Sequence, residues 1–433
     1  MSPNKPSNDT PQLDIAVIGG GIIGLVVTLG LVKRGISVKI YEQSSTFRET
    51  GAGLGFLPKD FECMARINPD IVKALEAVTP PATDAEDDWL YVADGYHQGK
   101  DDGKKENLLG RMHSGLRGCR RVQFLTELGK YIPDGTIEFR KRLERVVERE
   151  GEKLELGFTD GNVALADAVI GCDGIKSRVR RIIIGEDHPA CLPRYTHTIC
   201  FRGLVPTQKA RPFVGDLIAS HPTMHLGPDA HMVTYPVAGQ TFLNVVAMSH
   251  DPKDWRLEDG WEKTGTRQEV EGCFSSFGQT CRDLAALMPE TLTKWALFDT
   301  FDHQIPFYNL GRVCVAGDAA HAAAPHHGAG AGLGVEDSLC LSVLMEKVLE
   351  DLADGKTGKE QALEKAFETF TAVRRERCQW MVESSHTVCD LYEWKRPDIK
   401  EDPAKAMPEL VARYQIVVGF DTDAMLKATA MGY

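Results

Sequence analysis

The stretch from Asp14 to Gln43, DIAVIGGGIIGLVVTLGLVKRGISVKIYEQ, limits the folds open to this chain more than any other. Ile15-Ala16-Val17-Ile18 is a short apolar run, the pattern of a strand buried on both faces of a parallel sheet. Gly19, Gly21 and Gly24 follow in G-x-G-x-x-G spacing, and Ile22 to Val32 continues as an apolar helix closed by Lys33-Arg34-Gly35. A second strand, Ser37 to Tyr41, ends on Glu42, 18 residues past Gly24. Strand, glycine turn, helix, strand and acid predict a dinucleotide-binding unit. The glycines let backbone approach a pyrophosphate, the helix N-terminus offers free N–H groups to it, and Glu42 accepts hydrogen bonds from a ribose.

At 433 residues the chain has room for two or more cored domains, with an ordinary 42% apolar and 26% charged content. A net charge of −12 argues against nucleic acid and anionic membrane as main partners. The 11 cysteines form no C-x-x-C pair and suggest reduced thiols, hence a cytoplasmic setting. MSPNKPSNDTPQ is neither a signal peptide nor an anchor, and no run approaches a membrane span. No His, Asp, Glu or Cys set has metal-ligand spacing, so no metal is expected.

Residues 1–13 read as a disordered lead-in, and 14–187 as the first part of the dinucleotide-binding domain. Within it Gly51, Gly53 and Gly55 imply backbone passing close to a ligand, a helix starts near Lys59, and 80–107 is a polar surface loop or hairpin. Helix 122–131 is followed by a small antiparallel meander from Ile137 to Phe158, then a buried strand from Ala168 ending in Asp173-Gly174. From 188 to 305 strands separated by Pro, Gly and Asp predict a second, mostly antiparallel domain, with one helix over 267–287. Residues 306–395 return to the first domain through strand 312–318 and long helices over 333–352 and 361–391. Residues 396–433 are a C-terminal extension with helical stretches near 408–414 and 424–430.

Three motifs stand in order: VIGGGIIG with Glu42, IGCDGIKSRVR at 170–180, and VAGDAAHAAAPHHGAGAGLGVEDSLCL at 315–341. Together they resemble the single-component FAD-dependent aromatic hydroxylases, the group containing salicylate and p-hydroxybenzoate hydroxylase. The resemblance implies an α/β fold: a Rossmann-like FAD domain, an antiparallel substrate domain and C-terminal helices. It implies non-covalent FAD held by Gly19, Gly21, Gly24, Glu42, Gly55, Arg121, Asp173, Asp318, Gly330 and Ala331. Asp318 ends an apolar strand, where it can accept from a ribityl hydroxyl, and the Gly328–Gly334 run lets backbone approach a flat ring. The helix that follows could stabilise negative charge on a reduced flavin. Asp173 is also open to being a plain turn aspartate, and Arg120 competes with Arg121. The chain departs from the family's G-Q-G with Gly328-Ala329-Gly330-Ala331-Gly332; His326-His327 just before it are either acid/base groups or structural.

The same resemblance implies NADPH or NADH and O2 as co-substrates. It also implies oxygen delivery to an electron-rich ring through a flavin C4a-hydroperoxide. Favouring the phenolate needs a cation or donor aimed at its oxygen. Arg202 stands among apolar residues in a strand, and Tyr235 lies 33 positions on in another. They resemble the Arg/Tyr pair of the fungal phenol-dearomatising monooxygenases of polyketide secondary metabolism, where the pair holds the phenolate. The alternative is a framework ion pair and a core tyrosine. The implied activity is hydroxylation, with or without dearomatisation, of a small phenolic substrate by a monomer or homodimer. Polyene or terpenoid epoxidation, and a flavin redox sensor without turnover, are the competing readings.

Overall fold

The computed structural model describes residues 12–47, 53–79, 88–97, 107–113, 115–237, 239–256, 258 and 260–433. Residues 1–11 of the lead-in, Gly51, and most of the 80–107 loop lie outside these.

The strand Asp14–Ile18 sits at the centre of a six-stranded sheet. In order across it run Asn309–Leu310, Val313–Val315, Ala168–Gly171, Asp14–Ile18, Ser37–Glu42 and Ile137–Phe139. All pairings but the first are parallel. Helix Ile22–Lys33 is apolar all round because it is covered on both sides, by this sheet and by helix Gly330–Ala353. Leu25, Val26 and Val27 are fully buried there, each contributing about 1.5–3 kcal/mol of transfer free energy. Gly334 faces Ile23 Cδ1 at 2.6 Å from where a Cβ would stand, so the two helices approach closely.

Ile137–Phe139 corrects the expected meander. It joins the parallel sheet beside Ser37–Glu42, and the antiparallel trio is Leu143–Val147, Leu154–Phe158 and Val163–Ala166. Three residues carry too little alternation to say which sheet they enter.

The second sheet has eight strands. Its order is Glu262–Thr266, Thr291–Asp299, Arg194–Pro206, Phe242–His250, Ala230–Val237, Thr223–Gly227, Trp89–Asp94 and Leu108–His113. Only Thr223–Gly227 with Trp89–Asp94 is parallel. The last two strands come from the first part of the chain, Trp89–Asp94 from inside what reads as a polar loop or hairpin and Leu108–His113 just after it. Ile199, Phe201, Met232, Val245 and Ala247 project from one face into a core with helices Thr207–Ser220 and Gln279–Leu287. The single helix expected over 267–287 is two, Arg267–Cys273 and Gln279–Leu287, parted at Phe274–Gly278. Met224, Leu226, Val92 and Met112 project from the other face into the core of the half built on the six-stranded sheet. Helices Ala406–Val418 and Thr422–Gly432 close the chain and are longer than the sequence suggests.

Candidate active site

The glycine turn folds back on the second motif. Gly19 has φ +104°, and a Cβ there would stand 2.5 Å from Cys172 O, so both conformation and space require glycine. A Cβ on Gly24 would collide with Gly19 O, which fixes the start of the helix against the turn. No side chain caps the N-terminus of Ile22–Lys33 and its first turn holds no acid, leaving N–H groups for an anion. Glu42 accepts from Gly20 N at 2.7 Å and from Ser44 N at 2.7 Å. Each oxygen keeps a lone pair for a hydroxyl.

Arg121 opens helix Arg121–Gly129, and its Nη2 lies 3.7 Å from where a Gly21 Cβ would be. Arg120 is the residue before the helix. It pairs with Gly53 in a two-stranded ribbon of Gly53–Phe56 and Arg117–Arg120. Gly55 lies in that ribbon, with Leu116 Cδ1 at 2.6 Å from its absent Cβ.

Asp173 is committed to backbone. It accepts from the Ser177 hydroxyl, from Arg178 N at 2.6 Å and from Val179 N at 3.1 Å, capping helix Arg178–Ile184. The same segment carries Arg180, fully buried, which donates to Ala319 O at 3.0 Å and to the Ile175 carbonyl. Arg180 thus ties the second motif to the third.

Asp318 opens the short helix Asp318–His321 and is exposed, although protein surrounds it closely. Burial pushes its carboxyl up, opposed by His321, Arg121 and Arg180 nearby. Gly317 N, beside it, donates to Asp337 Oδ2 at 3.0 Å. Helix Gly330–Ala353 begins at the open Gly330 and half-buried Ala331, again without a side-chain cap or a first-turn acid.

Asp337 anchors a network that no sequence spacing announces. It meets His321 Nε2 at 2.6 Å and Arg374 Nε at 2.8 Å; Arg374 also reaches Glu336 at 2.7 Å, as does Arg377. Burial would raise the Asp337 carboxyl, but His321 and Arg374 hold it below the usual carboxylate range. Cys378 completes a His321–Asp337–Cys378 grouping of metal-ligand type. Arg374 already supplies the positive charge there, so the geometry is that of an ion-pair network. The signal was the Glu336-Asp337 pair inside a helix whose buried residues are otherwise uncharged.

Arg202 and Tyr235 project from the sheet face turned toward the half built on the six-stranded sheet. Register places Arg202 beside Val246 and Val233, and Tyr235 beside Asn244 and Leu204. Two strands apart is about 10 Å between backbones, within reach of these long side chains. Burial raises the Tyr235 hydroxyl, while Arg202 and a hydrogen bond with Asn244 draw it down. Cys200, Met248, Trp295 and Leu297 give the adjoining wall its apolar character. Sequence reasoning missed Asn244, which only register could bring to Tyr235.

His326 and His327 part company. His327 Nε2 meets Ser384 Oγ at 2.9 Å, whereas the buried His326 ring lies 5.4 Å from His231, on the same sheet face as Tyr235. His231 Nδ1 in turn meets Glu393 Oε1 at 3.2 Å.

An uncapped helix start behind a glycine turn, a strand-end carboxylate, an exposed aspartate and a second open helix start are features that fit FAD. The family model described as FAD binding domain matches residues 135–385. An FAD-dependent monooxygenase of Monascus ruber is 45% identical over 99% of this chain and 98% of its own. A salicylate hydroxylase of Sarocladium schorii is 44% identical over 100% of this chain and 92% of its own. A solved salicylate hydroxylase substrate complex superposes with TM-score 0.83 at 29% identity, covering 96% and 98% of the two chains. HpxO of Klebsiella pneumoniae, solved with FAD and uric acid, shares the fold at 20% identity, with TM-score 0.71 over 98% and 99%. The chain belongs to the FAD-dependent monooxygenases of the FAD binding domain family, among fungal and salicylate hydroxylase-like members. Among the described residues no helix is long and apolar enough to cross a membrane.

Proposed function

We propose that this monooxygenase hydroxylates a phenolic aromatic of polyketide type, using NADPH or NADH and O2, in fungal secondary metabolism. The observation that carries the reading is the Arg202–Tyr235–Asn244 corner in an otherwise apolar wall facing the FAD-binding half. A cation and two neutral polar groups suit a phenolate oxygen; they would do nothing for an alkene. Salicylate, named for one relative, is itself a phenol.

FAD, when bound and reduced, would activate O2 so that one of its oxygen atoms can be transferred. The Gly19–Gly24 turn would hold its pyrophosphate, Glu42 a ribose, Asp318 a ribityl hydroxyl, and Gly330 and Ala331 the ring edge. Arg202 stabilises the phenolate and fixes ring orientation, and Tyr235 adds a neutral donor. The protein would act on a small molecule in the cytoplasm, as a monomer or homodimer, without nucleic acid or membrane.

The test is NAD(P)H consumption by the FAD-loaded enzyme with candidate phenols, and product mass. A product one oxygen heavier, with phenol-stimulated consumption, is expected. Stimulation by polyenes alone would favour epoxidation, and none at all a redox sensor.

Glu42→Ala checks the cofactor half. A carboxylate bond to a hydroxyl is worth about 1.5–3 kcal/mol, so FAD affinity falls about ten- to a hundredfold. Recovery of flavin fluorescence on dilution measures it; unchanged retention makes Glu42 only a backbone tie between Gly20 and Ser44.

A further inference from the structure

Helix Pro58–Ile67 packs on helix Gly330–Ala353, and its Asp60 points at the first turn of that helix. Asp60 is 5% exposed. Its carboxyl carbon would stand 2.6 Å from a Cβ at Gly332, with both oxygens nearer still, so only glycine there leaves room for it. Oδ2 accepts from Leu57 N at 2.7 Å, whereas Oδ1 takes no hydrogen bond among the described residues. A buried carboxylate so thinly solvated is costly, which favours the neutral acid. Gly332 lies two residues, about 3 Å of axial rise, beyond Gly330, where the helix begins with neither a capping side chain nor an acid of its own. Asp60 therefore brings from a neighbouring helix the acid that this first turn lacks. As a carboxylate it would offset the positive end of the helix; as a carboxylic acid it would leave that end intact.

We propose that Asp60 sets the reduction potential of bound FAD through its charge at the start of helix Gly330–Ala353. The inference rests on FAD's ring edge lying at Gly330 and Ala331, as read above, and is independent of the phenol reading. Hydride from a nicotinamide donor brings two electrons and one proton to FAD, which leaves one negative charge on the reduced ring. The donor loses the same two electrons, and the only bond at Asp60 that forms or breaks is its own carboxyl O–H. The helix start favours the charged ring when Asp60 is neutral and does so less when Asp60 is ionised. By linkage, the reduced ring in turn strengthens the hold of Asp60 on a proton. Burial pushes the Asp60 carboxyl up to about 7, opposed by Leu57 N and Arg377 and helped by Glu336. Below that pH the group is neutral in both redox states. Just above it, reduction draws one further proton from solvent onto Asp60. At higher pH still the carboxylate stays ionised and the potential is lower. The titratable or charged groups facing Asp60 are Glu336, one turn on from Gly332, Arg377 of helix Lys359–Tyr392, Cys63 on its own helix and Tyr414 of helix Ala406–Val418.

The test is potentiometric titration of the FAD-loaded enzyme with dithionite and mediator dyes, without phenol or nicotinamide, from about pH 6 to about pH 9. Asp60→Asn keeps an acceptor for Leu57 N but cannot ionise. Its potential is expected to match that of the unaltered enzyme at about pH 6. At about pH 8.5 it should be higher by about tenfold in the reduction equilibrium, about 30 mV for a two-electron couple. Equal potentials at both ends overturn the inference. Should Asp60→Asn not fold, the unaltered enzyme decides: its potential should fall more steeply with pH between about 7 and 8, as a second proton joins each reduction, and a constant slope overturns the inference. Gly330→Val tests the placement of FAD separately. An added Cβ there stands in open space, with no neighbour within 4 Å among the described residues, so a ligand is what the side chain would crowd. FAD affinity should fall about tenfold or more. Undiminished FAD binding in Gly330→Val overturns the placement and the inference with it. Weakened binding there, together with equal potentials in Asp60→Asn, overturns the role of Asp60 alone.

Discussion

Arg202→Ala leaves the protein yellow and nearly inactive. Among the described residues no carboxylate pairs with Arg202; its recorded neighbours are Cys200 and Tyr235. A framework ion pair is thus not what holds it on this face, and its charge is available to a substrate oxygen. Losing a charge-bearing donor from a water-poor site costs about a hundred- to a thousandfold in rate, through both phenol ionisation and ring orientation. Tyr235→Phe removes one neutral donor, worth about 1 kcal/mol or roughly fivefold, with Asn244 left in place. Higher pH should rescue Tyr235→Phe more than Arg202→Ala, because bulk base makes a phenolate but cannot orient it. Flavin absorbance, kcat/KM and the ratio of product to NADPH consumed separate these terms. Normal coupling at wild-type rate in Arg202→Ala would remove the substrate anchor and leave the flavin site standing.

Arg374→Leu is expected to cost about 3–5 kcal/mol of stability, because it strands a buried carboxylate. Arg377 would still hold Glu336, so Asp337 is the group left short, with His321 its remaining charged partner. Asp337 also carries Gly317 N, one residue from Asp318, so FAD should dissociate more readily as well. Arg374→Lys should rescue little, since one ammonium cannot span Asp337 and Glu336 as the guanidinium fork does. Thermal unfolding with and without added FAD reads both effects. An unchanged melting temperature would mean that the network is energetically neutral.

What could be read from the sequence was local. The turn from Gly19 to Gly24 and its partner Glu42 lie within one βαβ unit, where spacing is geometry. Arg121 could not be told from Arg120 because the distinction is a helix boundary: Arg121 opens the helix on the side of the Gly21 turn, and Arg120 ends the ribbon strand before it. Asp173 could be cofactor ligand or turn residue, since its use depends on Ser177 and two backbone N–H groups of the next helix. Trp89–Asp94 hid in a polar stretch because its stabilising partner, Thr223–Gly227, is remote in sequence. Asp337 with Arg374 is likewise a pairing made by tertiary packing.

That remote pairing also governs how the chain can be built. As the polypeptide emerges, Trp89–Asp94 and Leu108–His113 can form their hairpin early but must wait for Thr223–Gly227 before joining a sheet. Val313–Val315 likewise reaches Ala168–Gly171 late in synthesis. The second core is drawn from residues 199–298 and can close first, but the first half waits for Val313–Val315 and the helices after it, so the nascent chain carries open strand edges through much of translation. A fragment cut at residues 188–305 would keep the Thr223–Gly227 edge bare, so the two halves are one unit of biogenesis even though they form separate sheets.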